Sequence, residues 1–181
     1  MFDGGHLVSS AHVAGHLTAH QPIQWRVRWR VEKFWGDDTG ARPYEVVQRE
    51  GNMLMHGGAS AMFHRLLGGT SVTPFDSGNA HIGVGNGTAI AAATQTDLQG
   101  ASKLRKPMDS TYPQHTDGTA SGNATAVFRS TFNTTDANFS WDEWGLFNAS
   151  SGGRMLNRKV EALGVKASAA AWVFTISLSL I

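Results

Sequence analysis

The chain has 181 residues, of which 41% are hydrophobic and only 16% are charged, and its formal net charge is +1. This length fits one globular domain, and the near-neutral charge argues against general binding of nucleic acid or of a membrane surface. Because the chain has no cysteine, a disulfide scaffold, a thiol nucleophile and a cysteine-based zinc site are excluded. The 21 glycines favour short strands joined by turns over a coiled coil.

Residues 1–20 are predicted to form an N-terminal arm, because they are mostly small and uncharged and hold four of the eight histidines. His12, His16 and His20 are spaced so that a helix would place all three on one face, where they could bind Zn²⁺ or Ni²⁺. No carboxylate lies near them in the sequence, so we favour an arm without a metal that lies on a neighbouring subunit. We expect no cofactor or metal elsewhere.

Residues 23–35 alternate between apolar and polar side chains, which predicts a long half-buried strand. The predicted inward face consists of Ile23, Trp25, Val27, Trp29, Val31 and Trp35. The outward face carries Arg26, Arg28 and Arg30 in succession. This arginine stripe could bind an acidic partner surface or phosphates, or it could keep a sheet edge soluble. We favour a solvated or subunit-contacting face, so the three arginines are candidate subunit contacts.

The next elements in chain order are a hairpin and a helix. Gly, Asp and Pro residues in the range 36–43 predict a turn, after which residues 44–49 return as a second strand. Residues 59–67 predict one short helix, which ends at Gly68. On this helix Ala59, Phe63 and Leu67 would lie on one line, with Met62 and Leu66 beside it.

The second half of the chain predicts further strands. Residues 70–122 are turn-rich with one short strand at 81–85, and residues 123–132 alternate again. The last strand places Trp172, Phe174, Ile176, Leu178 and Leu180 on one face. These segments together predict an all-β protein, with residues 21–181 forming one antiparallel β-sandwich that carries a single helix. We expect the last strand to lie in the interior of a sheet.

The stretch WDEWGLFNASSGGRMLNRK, residues 141–159, has two possible interpretations, an active site or a structural part of the fold, and we favour the second. Asp142 and Glu143 are adjacent, so in an extended chain they point to opposite faces and cannot form an acid and base pair across one substrate. Trp141 and Trp144 are interpreted as anchors in the core or between subunits, which makes them candidate subunit contacts. The sequence after Trp144 predicts a strand, a glycine turn and a returning strand.

Several segments carry a resemblance to a known group of proteins. They are EGNMLMHGGASAMFHRLLGG, IGVGNGT with TDLQG, MDSTYP, ATAVFRSTFNTTDANFSWDEWGLFNA and MLNRKV. Over roughly residues 45–181 this succession resembles small structural proteins of tailed-bacteriophage virions, described as tail, tail-fibre-associated or head-associated proteins. The resemblance implies assembly rather than catalysis, and it carries over no catalytic residues.

We therefore expect a non-enzymatic virion subunit that forms a homo-oligomer and contacts other tail or capsid proteins, with no nucleic-acid or membrane partner. Its location is either the tail, baseplate or fibre-attachment region, or the capsid surface as a decoration protein. The alternative is a carbohydrate-binding or glycan-degrading module that recognises the host. The two hypotheses differ in the exposure of Trp141 and Trp144, since a sugar-binding tryptophan must be open to solvent.

Overall fold

The computed structural model describes residues 24–181, so the predicted N-terminal arm and its histidines lie outside the described residues. The predicted fold class is confirmed, because residues 24–181 form two five-stranded antiparallel sheets and one helix. The elements in chain order are β1 (Trp25–Trp35), β2 (Glu45–Glu50), β3 (Met53–Leu54), α1 (His56–Leu66), β4 (His81–Gly85), β5 (Lys103–Pro107), β6 (Gln114–Thr116), β7 (Thr125–Phe132), β8 (Ser140–Phe147), β9 (Met155–Val165) and β10 (Ala170–Leu180).

The first sheet has the strand order β2-β1-β10-β7-β6, so the last strand lies in its centre as expected. Strands β1 and β10 pair along their whole length, from Trp25 opposite Leu180 to Trp35 opposite Ala170. The two long strands β1 and β10 lie side by side in this sheet. Their inward-facing residues therefore form a broad apolar face toward the opposing sheet.

The second sheet has the order β3-β9-β8-β4-β5. The strand, glycine turn and strand predicted for residues 144–160 are confirmed as the hairpin β8–β9. Gly152 and Gly153 in its turn adopt φ values of +57° and +65°, which glycine reaches without the steric cost of a Cβ atom. The short strand β3 pairs only with Asn157 and Arg158 of β9.

Aromatic side chains from both sheets meet in the core between them. The ring centroids of Trp29 and Trp144 are 5.8 Å apart, and those of Trp144 and Phe174 are 5.3 Å apart. Trp141 contacts Trp172 edge to face at 4.7 Å. Such edge contacts add to the burial of the rings, so these aromatic residues join the two sheets.

A register irregularity between β8 and β9 accompanies the arrangement in which two tryptophans three positions apart reach the same core. In a regular strand Trp141 and Trp144 would point to opposite faces, because the side-chain period is two. The register with β9 shifts between Trp141 and Glu143, and an irregularity of this kind changes the side-chain alternation. Both indoles therefore face the first sheet.

Two sequence expectations about the strands were wrong. Trp35 does not lie on the inward face, since it is 68% exposed and stacks on Tyr44. The predicted turn-rich region contains two further strands, β5 and β6. Their short sequences show little alternation, so the pairing with β4 and β7 forms them rather than a periodic pattern.

Candidate interaction surface

Helix α1 lies on the second sheet through its small residues. A Cβ atom added to Gly58 would come within 2.5 Å of the Leu156 Cα atom, so the helix backbone approaches β9 as closely as glycine allows. Ala61, one turn further, is also buried. The contact face of the helix is therefore defined by Gly58 and Ala61.

The large apolar residues of the helix face outward. Phe63 is 65% exposed, Leu66 80% and the following Leu67 86%, and Met62 is also exposed. Because Gly58 is the point of closest approach to β9, the opposite side of the helix lies in solvent. Contiguous exposed apolar residues of this kind are typical of interaction sites.

An apolar groove of about 310 Å³ lies beside this helix, at the end of the first sheet where β1 begins. We call it the helix groove, and its lining includes Trp25, Met62, Phe75, Ala124, Ala126 and Leu180. Among the described residues that line it, His115 is the one titratable side chain. The groove and the outer face of α1 share Met62, so they form one apolar surface.

The arginine stripe lies on the outer face of the first sheet, where Arg28 and Arg30 are exposed. Arg28 Nε donates to Glu50 Oε1 at 2.6 Å, and Arg30 Nη2 donates to Glu32 Oε1 at 2.7 Å. The hydrogen bond from Arg28, together with the charges of Arg28 and Arg26, lowers the pKa of Glu50, and partial burial opposes this shift. The alternating pattern of the sequence did not indicate these intrachain carboxylates, which pair with Arg28 and Arg30 without a second protein.

Trp141 and Trp144 are fully buried inside the single chain. Of the two positions left open by the sequence, the core or a subunit interface, they occupy the core. The Nε1 group of Trp141 donates to the Ala137 carbonyl at 2.9 Å, which satisfies its polar atom. Neither side chain reaches the surface of the described fold, so neither is available to contact a second subunit.

Glu143 lies on the other face of β8, in a buried ion pair with Arg158 of β9. Arg158 Nε donates to Glu143 Oε2 at 2.7 Å, and both side chains are fully buried. The pair also binds the loop that follows β4, since the Gly100 N–H donates to Glu143 Oε1 at 2.7 Å. Arg158 further donates to Gln95 Oε1 at 2.8 Å and to the Ala89 carbonyl at 2.9 Å.

The contacts of this ion pair indicate that Glu143 has a structural role. Each partner is occupied by backbone or side-chain hydrogen bonds that tie residues 89–100 to the second sheet, so the pair acts as a structural cross-link. The sequence did not reveal it because the partners are separated by 15 residues and meet through strand register. The sequence signal was limited to two adjacent acidic residues, Asp142 and Glu143, in an otherwise largely apolar strand.

Lys166 is a second buried charged group, at the end of β9. Its Nζ atom donates to the Asn133 carbonyl at 2.6 Å and to Asn138 Oδ1 at 2.9 Å. Burial lowers the pKa of Lys166, while the charges of Asp136 and Asp37 act in the opposite direction. Because the Lys166 Nζ atom donates to these two oxygens, we interpret Lys166 as a structural link between the end of β9 and the loop before β8.

Within residues 24–181, no group of three or more His, Cys, Asp or Glu side chains is arranged to hold a metal ion. No helix in this part of the chain is both long and apolar enough to cross a membrane. Comparison of the chain with models of protein families, with curated proteins and with solved structures finds no match.

Proposed function

We propose that this protein is a non-enzymatic structural subunit of a tailed-phage virion that assembles as a homo-oligomer on other virion proteins. The observation that carries the assembly role is the apolar surface formed by the helix groove and the outer face of α1. Phe63, Leu66 and Leu67 are each more than half exposed, and burying such residues against a partner is favourable. The virion context rests on the sequence resemblance over residues 45–181.

The position within the particle has two alternatives, the tail, baseplate or fibre-attachment region and the capsid surface. We favour the tail, and copy number separates the alternatives. Mass spectrometry of purified virions should detect the chain in a small number of copies per particle if it belongs to the tail, or in hundreds of copies if it decorates the capsid. Virions that lack the chain altogether would overturn the proposal.

One observation favours the alternative of a carbohydrate-binding module. The Trp35 ring is 68% exposed and stacks on Tyr44 with centroids 4.4 Å apart, and a fixed, open indole can stack on a sugar ring. Against this, Trp141 and Trp144 are buried, so neither is open to a glycan. Calorimetric titration with host surface glycans, compared between the parent protein and Trp35→Ala, tests the alternative, which requires binding that the substitution abolishes.

A further inference from the structure

We infer that the helix groove receives the N-terminal arm, residues 1–20, of a second copy of this chain. This inference rests on the homo-oligomer in the proposed function and names the site through which copies engage. The groove is apolar and lies at the end of the first sheet, beside the exposed face of α1. Three features identify the occupant: the position at which the described chain begins, the composition of the arm and the length to which the arm can extend.

The described chain begins at the rim of the groove. Gln24 and Ile181 exchange two backbone hydrogen bonds, with N···O distances of 2.7 Å and 3.0 Å. The next residue, Trp25, and its cross-strand partner Leu180 both line the groove. The segment that precedes Gln24 in every copy is therefore attached beside a groove of this kind.

The composition of the arm matches the groove. Among residues 1–23, Asp3 is the only Asp, Glu, Lys or Arg, and the apolar residues include Leu7, Val8, Val13 and Leu17. An apolar groove favours such a segment because no charged side chain has to lose water on entry. An arm of small and apolar residues also cannot bury enough surface by itself, so a preformed groove supplies what it lacks.

The direction of the chain at Gln24 favours a second copy over the same copy. The paired ladder with Ile181 carries β1 straight to the end of the sheet. Return into the adjacent groove of the same copy would require the chain to reverse within the few residues before Gln24, whereas a groove on a second copy can receive the arm in the direction in which it leaves the sheet. A 20-residue chain can extend about 65–70 Å, well beyond the roughly 40 Å diameter expected from the radius of gyration of a domain of this size.

Photochemical cross-linking from the groove tests the inference. The chain has no cysteine, so Ala124→Cys gives a single attachment point for a benzophenone maleimide inside the groove. This form is co-expressed with a cysteine-free copy whose arm is marked by Val13→Ile, which changes only the mass of that segment. After irradiation, mass spectrometry identifies which residues, and which copy, are joined to position 124.

We expect cross-links from position 124 to the marked arm, which belongs to the other copy. The matched control is Ala41→Cys, in the exposed turn beyond the far end of β1, which should give no cross-link to residues 1–20. Cross-links only to the unmarked arm would mean that each groove binds its own arm and would overturn the inference. Cross-links to another surface, or none, would overturn it as well.

This result is independent of the test of the virion context. Mass spectrometry of virions asks whether the chain is present in the particle, and cross-linking of the purified protein asks what fills the groove. A chain that is found in virions but gives no cross-link to the marked arm would refute the groove assignment alone. A chain that gives the cross-link but is absent from virions would refute the proposed function alone.

Discussion

Strand β10 and helix α1 are both amphipathic in sequence, yet they place their apolar faces in opposite environments. In β10 the large residues Trp172 and Phe174 are buried between the sheets, whereas in α1 the large residues Phe63 and Leu66 face solvent. The helix instead buries Gly58 and Ala61. The comparison shows that an amphipathic pattern identifies an apolar face but does not fix what covers it.

The physical reason for the difference is the space that each neighbour leaves. The two sheets face each other across a layer that large rings fill, as the contact of Phe174 with Trp144 illustrates. The helix backbone, by contrast, lies against the backbone of Leu156, so no large side chain fits between them. The four predictions that follow test this contrast, beginning with the largest expected effect.

The largest effect is expected in the core. Trp172→Ala or Phe174→Ala should reduce the free energy of unfolding by about 3–5 kcal/mol, because each removes a large buried ring and leaves a cavity. Ser177→Ala, on the outward face of the same strand, is the matched control and should have almost no effect. Urea unfolding followed by tryptophan fluorescence measures all three. Equal effects from Phe174→Ala and Ser177→Ala would contradict the assigned orientation of β10.

A loss of about 3 kcal/mol is expected for Glu143→Gln, because it leaves the buried Arg158 charge without its partner. The control is Asp142→Asn, at the neighbouring half-buried position, which should change the unfolding free energy little. Replacing both partners, with Glu143→Leu and Arg158→Met, should recover part of the loss. If Glu143→Gln proves as stable as the parent in urea, the pair is not the cross-link that we describe.

A smaller effect is expected where the helix meets the sheet. Gly58→Ala introduces a Cβ atom within 2.5 Å of backbone, and such overpacking typically costs about 1–3 kcal/mol. At Gly57 the nearest atom to an added Cβ is Arg154 Cδ at 3.7 Å. Gly57→Ala should therefore be neutral or stabilise the helix by up to about 1 kcal/mol. Thermal unfolding compares the two, and a destabilised Gly57→Ala with an unchanged Gly58→Ala would reverse our orientation of α1.

The smallest effect on stability is expected on the outer face of the helix. Leu66→Gln should change the unfolding free energy by less than about 0.5 kcal/mol, because the side chain is exposed and Gln is a good helix former. The same substitution should weaken self-association, which sedimentation equilibrium measures. Ser60→Gln, exposed on the same helix, is the control and should leave self-association unchanged. A Leu66→Gln protein that unfolds far more easily would place Leu66 in the core.

The arginine stripe and the helix groove show which features of a surface can be predicted from sequence patterns. Alternation correctly placed Arg28 and Arg30 on an outward face, but it did not reveal that Glu50 and Glu32 already pair with them. The helix groove left no signal in the sequence, because its lining comes from five strands, α1 and the loop residues Phe75 and Ala124. Surface composition follows from periodicity, whereas the partners of a surface depend on which elements become neighbours.

The sequence by itself determined the elements with strong period-two or helical patterns. Alternation over β1, β7 and β10, and the glycine turn between β8 and β9, follow from local backbone geometry and solvent preference. The tertiary structure alone decided which face of α1 is buried, that Trp141 and Trp144 both reach one core, and that Glu143 meets Arg158. Each of these depends on the distance and register between segments far apart in the chain, which local sequence patterns do not specify.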